Sequence, residues 1–335
     1  MNKNHTYIIA EAGVNHNGDI NLAYKLCNNA QKAGVDAVKF QTWKTERIVT
    51  KSAALATYQE HNINDKQKSQ FQMLKELELS YHDFRKIKAY CDEIGIQFLS
   101  TPDEEESLDF LCSINLPFIK LGSGDVTNIP FLRIVGSRHQ NVILSTGMAY
   151  LSDVEIAYRT LMDAGAKSVT LLHCTTNYPC PYKEVNLRAM LTLKEAFHCP
   201  VGYSDHTLGI EVPVAAVALG AEVIEKHFTL DRTMDGPDHK ASLEPCELKQ
   251  MVTAIRNIEV AMGNGIKSPN ASEKEISGVV LKRIVAACPI KKGDTLNACN
   301  LVFKRSNAGI ATKYWDIING RTATRDYKED EPIEL

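Results

Sequence analysis

Eight short β-rich runs, separated by stretches that read mostly as helices, constrain what this chain can fold into more than any other feature. They are YIIAEAG (7 to 13), AVKFQT (37 to 42), QFLSTP (97 to 102), FIKLGSG (118 to 124), VILSTG (142 to 147), VTLLHC (169 to 174), VGYSD (201 to 205) and VIEKHFT (223 to 229). Strands that alternate with helices pair in parallel through right-handed crossovers. Eight such units close into a (β/α)8 barrel, the TIM-barrel architecture of the α/β class. Two of the intervening helices carry explicit boundary signals. SDVEIAYRTLMDAG spaces Ser152 and Glu155 as a capping box and stops at Gly165. From Pro245 to Met262, the residues Leu248, Met251, Val252, Ile255 and Ile258 keep helical spacing, with proline at the start and Gly263 just beyond the end.

The barrel is predicted to occupy residues 1–263. Residues 264–278, within GNGIKSPNASEKEISG, are rich in Gly, Ser, Asn and charge and lack an apolar period, which predicts a linker or loop. Residues 279–335 carry short β-rich pieces, RIVAACPI and NLVFKR, with turn signals such as KKGD and no long helical pattern. That segment reads as a small β-rich module whose thin core predicts docking against a barrel, its own or a partner's.

Net charge of −3, with no basic run, gives no footprint for a nucleic-acid backbone or an anionic membrane, so small molecules are the expected partners. MNKNHTYIIAEAG reaches glutamate after three apolar residues, and no apolar run is long enough to span a bilayer; both predict a cytoplasmic protein without a leader. Nine cysteines (27, 91, 112, 174, 180, 199, 246, 288 and 299), an odd number without a CxxC pair, predict reduced thiols rather than a disulfide framework or a cysteine zinc site. Cys174 stands beside candidate site residues.

In such a barrel, polar residues at the carboxyl ends of strands face the active site. Nearly every run here ends in such residues: Glu11, Asn15 and His16; Lys39 and Gln41; Ser100 and Thr101; Lys120, Ser123 and Asp125; Ser145, Thr146 and Gly147; His173, Thr176 and Tyr178; Ser204, Asp205 and His206; Glu225 and His227. Singly, each has an ordinary structural reading, but so many buried polar groups are costly unless they bind something. His206 and His227, at the ends of consecutive strands, are the candidate metal pair. Glu225, two residues before His227 on the same side of the strand, is a candidate further ligand or orienting carboxylate. His173 and His239 are weaker candidates. Two lysines with serine and threonine hydroxyls in GSGD and STG would cradle a phosphate or carboxylate. No Walker lysine motif or dinucleotide fingerprint is present.

Together AEAGVNHNG, VKFQT, LSTP, KLGSGD, STGM, HCTTNYP, GYSDHTLG, EKHFTLD and GPDHKASLEP resemble the sialic acid synthases, bacterial N-acetylneuraminate and N,N′-diacetyllegionaminate synthases among them. The resemblance extends to the C-terminal segment, which is similar to that family's antifreeze-like (SAF) domain. It implies condensation of phosphoenolpyruvate with an open-chain N-acetylmannosamine-type sugar, or with 2,4-diacetamido-2,4,6-trideoxymannose, and a divalent metal such as Mn2+ or Mg2+. His206 and His227 would hold the metal. Lys39, Thr101, Lys120, Ser123, Ser145, Thr176 and Ser204 would gather around phosphoenolpyruvate. Gln41, Tyr178, Asp238 and Arg305 would meet the sugar, Arg305 from the neighbouring subunit of a domain-swapped homodimer. Glu11, Asp125 and Lys120 are the expected catalytic groups, the two carboxylates as those that position or deprotonate water. The chain departs from many relatives in having Asp125 for glutamate, Thr176 for asparagine, and Ser306 and Asn307 for a proline and glycine after the arginine. Rival readings are a Schiff-base pyruvate aldolase using Lys39 or Lys120 and a sugar-binding protein without catalysis.

Overall fold

A computed structural model of the protein describes residues 5–63 and 68–334 and divides into two units, Met1–Gly263 and Asn264–Leu335. The first is built on eight strands: β1 (Tyr7–Gly13), β2 (Ala37–Thr42), β3 (Gln97–Pro102), β4 (Ile119–Leu121), β5 (Asn141–Ser145), β6 (Ser168–Cys174), β7 (Val201–Asp205) and β8 (Val223–His227). They form one sheet in the order β3-β2-β1-β8-β7-β6-β5-β4. Every ladder is parallel, and β1 hydrogen-bonds β8. The ends of the sheet, β3 and β4, lie side by side, so the strands curl into a near-closed barrel. FIKLGSG supplies only three strand residues, because Ser123–Asp125 turns away as one 3-10 turn with the Asp125 N–H donating to the Gly122 carbonyl at 3.2 Å.

Strand alternation decides what each side chain meets. Ile9, Ala37, Leu99, Ile143, Leu172 and Val223 pack together inside the barrel. Their neighbours Ile8, Val38, Phe98, Val142, Leu171 and Ile224 belong instead to the larger core beneath the helices. Two residues further along the inward face come Glu11, Lys39, Thr101, Ser145, Cys174 and Glu225, so the apolar plug is overlaid by a polar layer at the carboxyl ends.

The helix expected from Ser152 begins earlier, at Leu151–Asp163, and the Ser152/Glu155 box does not form. Asp153 caps it instead, accepting the Tyr150 N–H at 2.8 Å, while Glu155 pairs with Arg159 one turn on. A carboxylate in the first turn also complements the helix dipole. Pro245–Ala261 is helical, with Leu248, Met251, Val252 and Ile255 buried.

The second unit corrects the expected loop: Ala271–Val280 is a helix. Asn270 accepts the Glu273 N–H at 2.9 Å and Glu273 accepts the Asn270 N–H at 3.0 Å. No residue of this helix is buried, so reciprocal capping marks it where an apolar period does not. Beyond it, β9 (Lys282–Ala286) pairs antiparallel with β10 (Leu301–Arg305) over a small core that includes Ile284, Ile290, Leu301, Ile318, Tyr327 and Ile333. Among the described residues no helix is long and apolar enough to cross a membrane.

Candidate active site

The polar layer lines a cavity of about 170 Å3 at the carboxyl ends of the strands. Its floor is a buried chain of alternating charge. Lys39 Nζ lies 2.7 Å from Glu11 Oε2 and 3.5 Å from Glu225 Oε1, and Lys120 Nζ lies 3.3 Å from Glu225 Oε2. Hydroxyls complete the coordination: Lys39 donates to Thr101 at 2.9 Å, Lys120 to Ser145 at 2.8 Å, and Ser204 donates to Glu225 at 2.8 Å. Gln41 fixes Glu11 by donating to its other oxygen at 3.0 Å. Removing four charges from water carries several kcal/mol per ion, which pairing and hydrogen bonding must offset.

Burial pushes Glu11 up to about 7 even with Lys39 beside it. Burial acts on Glu225 in the same direction, but Lys120, Lys39 and the Ser204 hydroxyl overcome it and hold that carboxyl near 2. The lysines also diverge. Burial dominates at Lys120 and lowers it, whereas at Lys39 the opposing pull of Glu11 and Glu225 prevails and raises it. Glu225 is therefore the anionic joint between two ammonium groups.

His206 and His227 face each other across the cavity wall with ring centroids 5.4 Å apart. The Tyr178 ring packs on His206 at 4.1 Å and meets His227 edge-on at 5.5 Å. His206 Nδ1 lies 2.7 Å from the Thr175 carbonyl, which fixes the ring and leaves Nε2 for another partner. His227 Nδ1 is buried with no hydrogen-bond partner. Burial lowers both imidazoles, and His206 lowers His227 further, so both are neutral. Neutral nitrogens, one of them orphaned, fit a divalent ion. Among the described residues no group of three or more histidine, cysteine or carboxylate side chains is placed to hold a metal.

Eleven of the expected residues line this cavity: Glu11, Lys39, Gln41, Thr101, Lys120, Ser123, Ser145, Tyr178, Ser204, His206 and His227. Four do not. Asp125 accepts a hydrogen bond from Asn128 Nδ2 at 3.0 Å in the turn after β4 and lies outside the lining. The Thr176 hydroxyl is buried without a partner beside Gly147, whose N–H donates to Ser123 at 3.0 Å. Asp238, pushed up to about 6 by burial, approaches His227 Nδ1 at 3.8 Å. Arg305 is exposed at the end of β10 in the second unit.

Several strand-end polar groups turn away from the cavity into structural contacts. Ser100 meets the Thr42 hydroxyl at 2.7 Å, His173 meets the Val185 carbonyl at 2.8 Å, and Asp205 is paired with Lys226 at 2.5 Å, both fully buried. His239 bridges Thr229 and Asn17. The lining also contains Asp103 and Cys174. Asp103 went unnoticed in the sequence because it follows Pro102 at the strand end, yet its parity with Thr101 is the signal that finds it. Cys174 is 3.1 Å from the Ser123 hydroxyl, and burial raises its thiol, so it serves as packing under the cradle.

The chain is similar to known proteins in sequence and in fold. The chain is 50% identical to N,N′-diacetyllegionaminic acid synthase of Campylobacter jejuni over 98% of both chains. It is 34% identical to N-acetylneuraminate-9-phosphate synthase of Drosophila melanogaster over 98% of this chain and 94% of that one. The crystal structure of N-acetylneuraminic acid synthetase from Leptospira borgpetersenii in complex with citrate superposes with a TM-score of 0.71 at 36% identity, covering 82% of this chain and 90% of that chain. A SAF domain model matches residues 283–335. The NeuB family model matches residues 26–267, and the chain belongs to the NeuB family.

Proposed function

We propose that this protein is a nonulosonic acid synthase, a transferase that joins phosphoenolpyruvate to the aldehyde of an N-acetylmannosamine-type sugar and releases phosphate. The observation that carries the reading is the juxtaposition, in one cavity, of a lysine and hydroxyl cradle with a neutral imidazole pair. Relatives named as N,N′-diacetyllegionaminic acid synthase and as N-acetylneuraminic acid synthetase support it and leave two sugar types in play, 2,4-diacetamido-2,4,6-trideoxymannose and N-acetylmannosamine.

In this reading Lys39 with Thr101, and Lys120 with Ser145 and Ser123, bind the phosphate and carboxylate of phosphoenolpyruvate and hold its C3 toward the aldehyde carbon. A divalent ion held by His206 and His227, manganese or magnesium, would polarise the aldehyde. As the new carbon–carbon bond forms, C2 becomes cationic and takes up water; the resulting adduct loses phosphate by C–O cleavage. Glu11, raised to about 7 and oriented by Gln41, is the group poised to take the proton of that water. Asp125 is bound to Asn128 outside the lining and is not assigned this role.

We further infer a cytoplasmic homodimer in which Arg305 of one subunit reaches the sugar bound by the other; nine free cysteines and the exposure of Arg305 support this. Mixed dimers of Lys39→Ala and Arg305→Ala chains would then recover activity that neither variant has alone; no recovery overturns the exchange. The function itself is tested by phosphate release from phosphoenolpyruvate with each sugar, with manganese or with EDTA. Release only with sugar and metal supports the synthase, and the faster sugar names the substrate. Borohydride trapping of pyruvate on a lysine, indifferent to EDTA, would show a Schiff-base aldolase instead.

A further inference from the structure

The β2–β3 ladder pairs Gln41 with Thr101 and continues one step past β3, because the Asp103 N–H donates to the Thr42 carbonyl at 3.1 Å. Asp103 therefore keeps the inward parity of Thr101 and stands about 6.6 Å further along the strand, between the anion cradle and the mouth of the cavity. It lines that cavity, and its carboxyl has no hydrogen-bond or ion-pair partner among the described residues. All the other inward carboxylates of the lining are engaged: Glu11 by Lys39 and Gln41, and Glu225 by two lysines and Ser204. A cavity-facing carboxyl with no protein partner above a site for a polyanion is placed for a different reactant.

We infer that Asp103 is a substrate-specificity residue that hydrogen-bonds a hydroxyl or acetamido group of the open-chain amino sugar and makes no contact with phosphoenolpyruvate. The assignment rests on the synthase reading above and deepens it. Burial and the nearby Asp125 push the Asp103 carboxyl up to about 8, so it is mostly uncharged at neutral pH. An uncharged carboxyl both donates and accepts, which suits a polyol amide, and it does not repel the anion held one layer below. Asparagine is nearly isosteric and keeps a donor and an acceptor; alanine keeps neither.

The test is steady-state kinetics of Asp103→Ala and Asp103→Asn with both sugars, varying sugar and phosphoenolpyruvate separately. Losing one substrate hydrogen bond in a desolvated site predicts that Asp103→Ala raises KM for the better sugar by about tenfold or more. KM for phosphoenolpyruvate stays within about twofold, the kcat/KM ratio of the two sugars changes by at least about fivefold, and Asp103→Asn recovers most of the loss. Equal shifts in both KM values, an unchanged sugar ratio, or no rescue by asparagine overturns the assignment while the synthase stands. If Asp103→Ala does not fold, the asparagine variant decides alone: sugar KM within about threefold of wild type and an altered sugar ratio support the assignment, and a changed phosphoenolpyruvate KM overturns it. A wild-type protein that releases no phosphate with either sugar overturns the synthase reading, and this assignment with it.

Discussion

At the scale of single residues, Glu225 is the group on which the rest of the site depends. Its two oxygens divide between Lys39 and Lys120, so Glu225→Ala leaves two buried ammonium groups sharing one remaining carboxylate, Glu11. We expect a loss of about 3–5 kcal/mol in chemical denaturation, together with intact metal binding, since Glu225 is not one of the imidazole pair. An unchanged unfolding midpoint would mean that water screens the lysines. His16 offers a second residue-scale prediction. It is fully buried, accepts the Gly18 N–H at 3.0 Å, and is lowered by burial to about 4. A folded-state value below the unfolded one of 6.5 means that the stability is full above pH 6.5 and is lost as pH falls toward 4. The loss approaches roughly 3 kcal/mol when complete. His16→Asn should flatten the pH dependence of unfolding in that window, and an unaltered slope would assign the acid sensitivity elsewhere.

At the scale of elements, two glycines separate the needs of the ladder from the needs of the loop above it. Gly202 sits on β7 where an added Cβ would lie 2.1 Å from the Val223 carbonyl of β8. That neighbour is backbone and cannot turn aside, so Gly202→Ala is expected to destabilise the barrel by about 1–3 kcal/mol or more. Gly147 follows β5, and the atoms nearest to a Cβ there belong to side chains, Thr176 Oγ1 at 2.3 Å, Ser123 Oγ at 2.8 Å and Cys174 Sγ at 2.9 Å. Rotation of those side chains relieves the clash at the expense of the cradle. Gly147→Ala should therefore raise KM for phosphoenolpyruvate by about tenfold or more with a smaller change in thermal unfolding than Gly202→Ala. The reverse ranking in either measurement would contradict this division.

For the whole molecule, a ligand that binds only the folded state raises its stability by mass action. Manganese at about 100 times its dissociation constant should stabilise the protein by about 2.7 kcal/mol, seen as a rise in Tm that EDTA abolishes. The His206→Ala, His227→Ala double variant should show no rise. A shift that survives the double variant would locate the ion elsewhere.

The periodicities of the sequence were sufficient for the barrel. Runs such as AVKFQT and VGYSD carry their own strand boundaries, and strand parity alone predicts that Lys39 and Gln41, or Ser204 and His206, share the inward face. Where parity lapses, the sequence is silent. Asp125 lies in a turn after a strand of three residues, so nothing local shows that it bends toward Asn128 while Asp103, still on its ladder, faces the cavity. The helix Ala271–Val280 escaped a reading based on apolar spacing because it buries no side chain. Direction along a strand is a local property, set by backbone sterics and legible in neighbouring residues. Partnership is not: Ser204 meets Glu225 across the β7–β8 ladder, and Lys39 meets Glu225 because barrel closure hydrogen-bonds β1 to β8 and brings strands distant in sequence within one side-chain length. The sequence by itself determined which residues end the strands, and the tertiary structure decided which of them pair, which turn outward, and which carboxyl is left to meet a substrate.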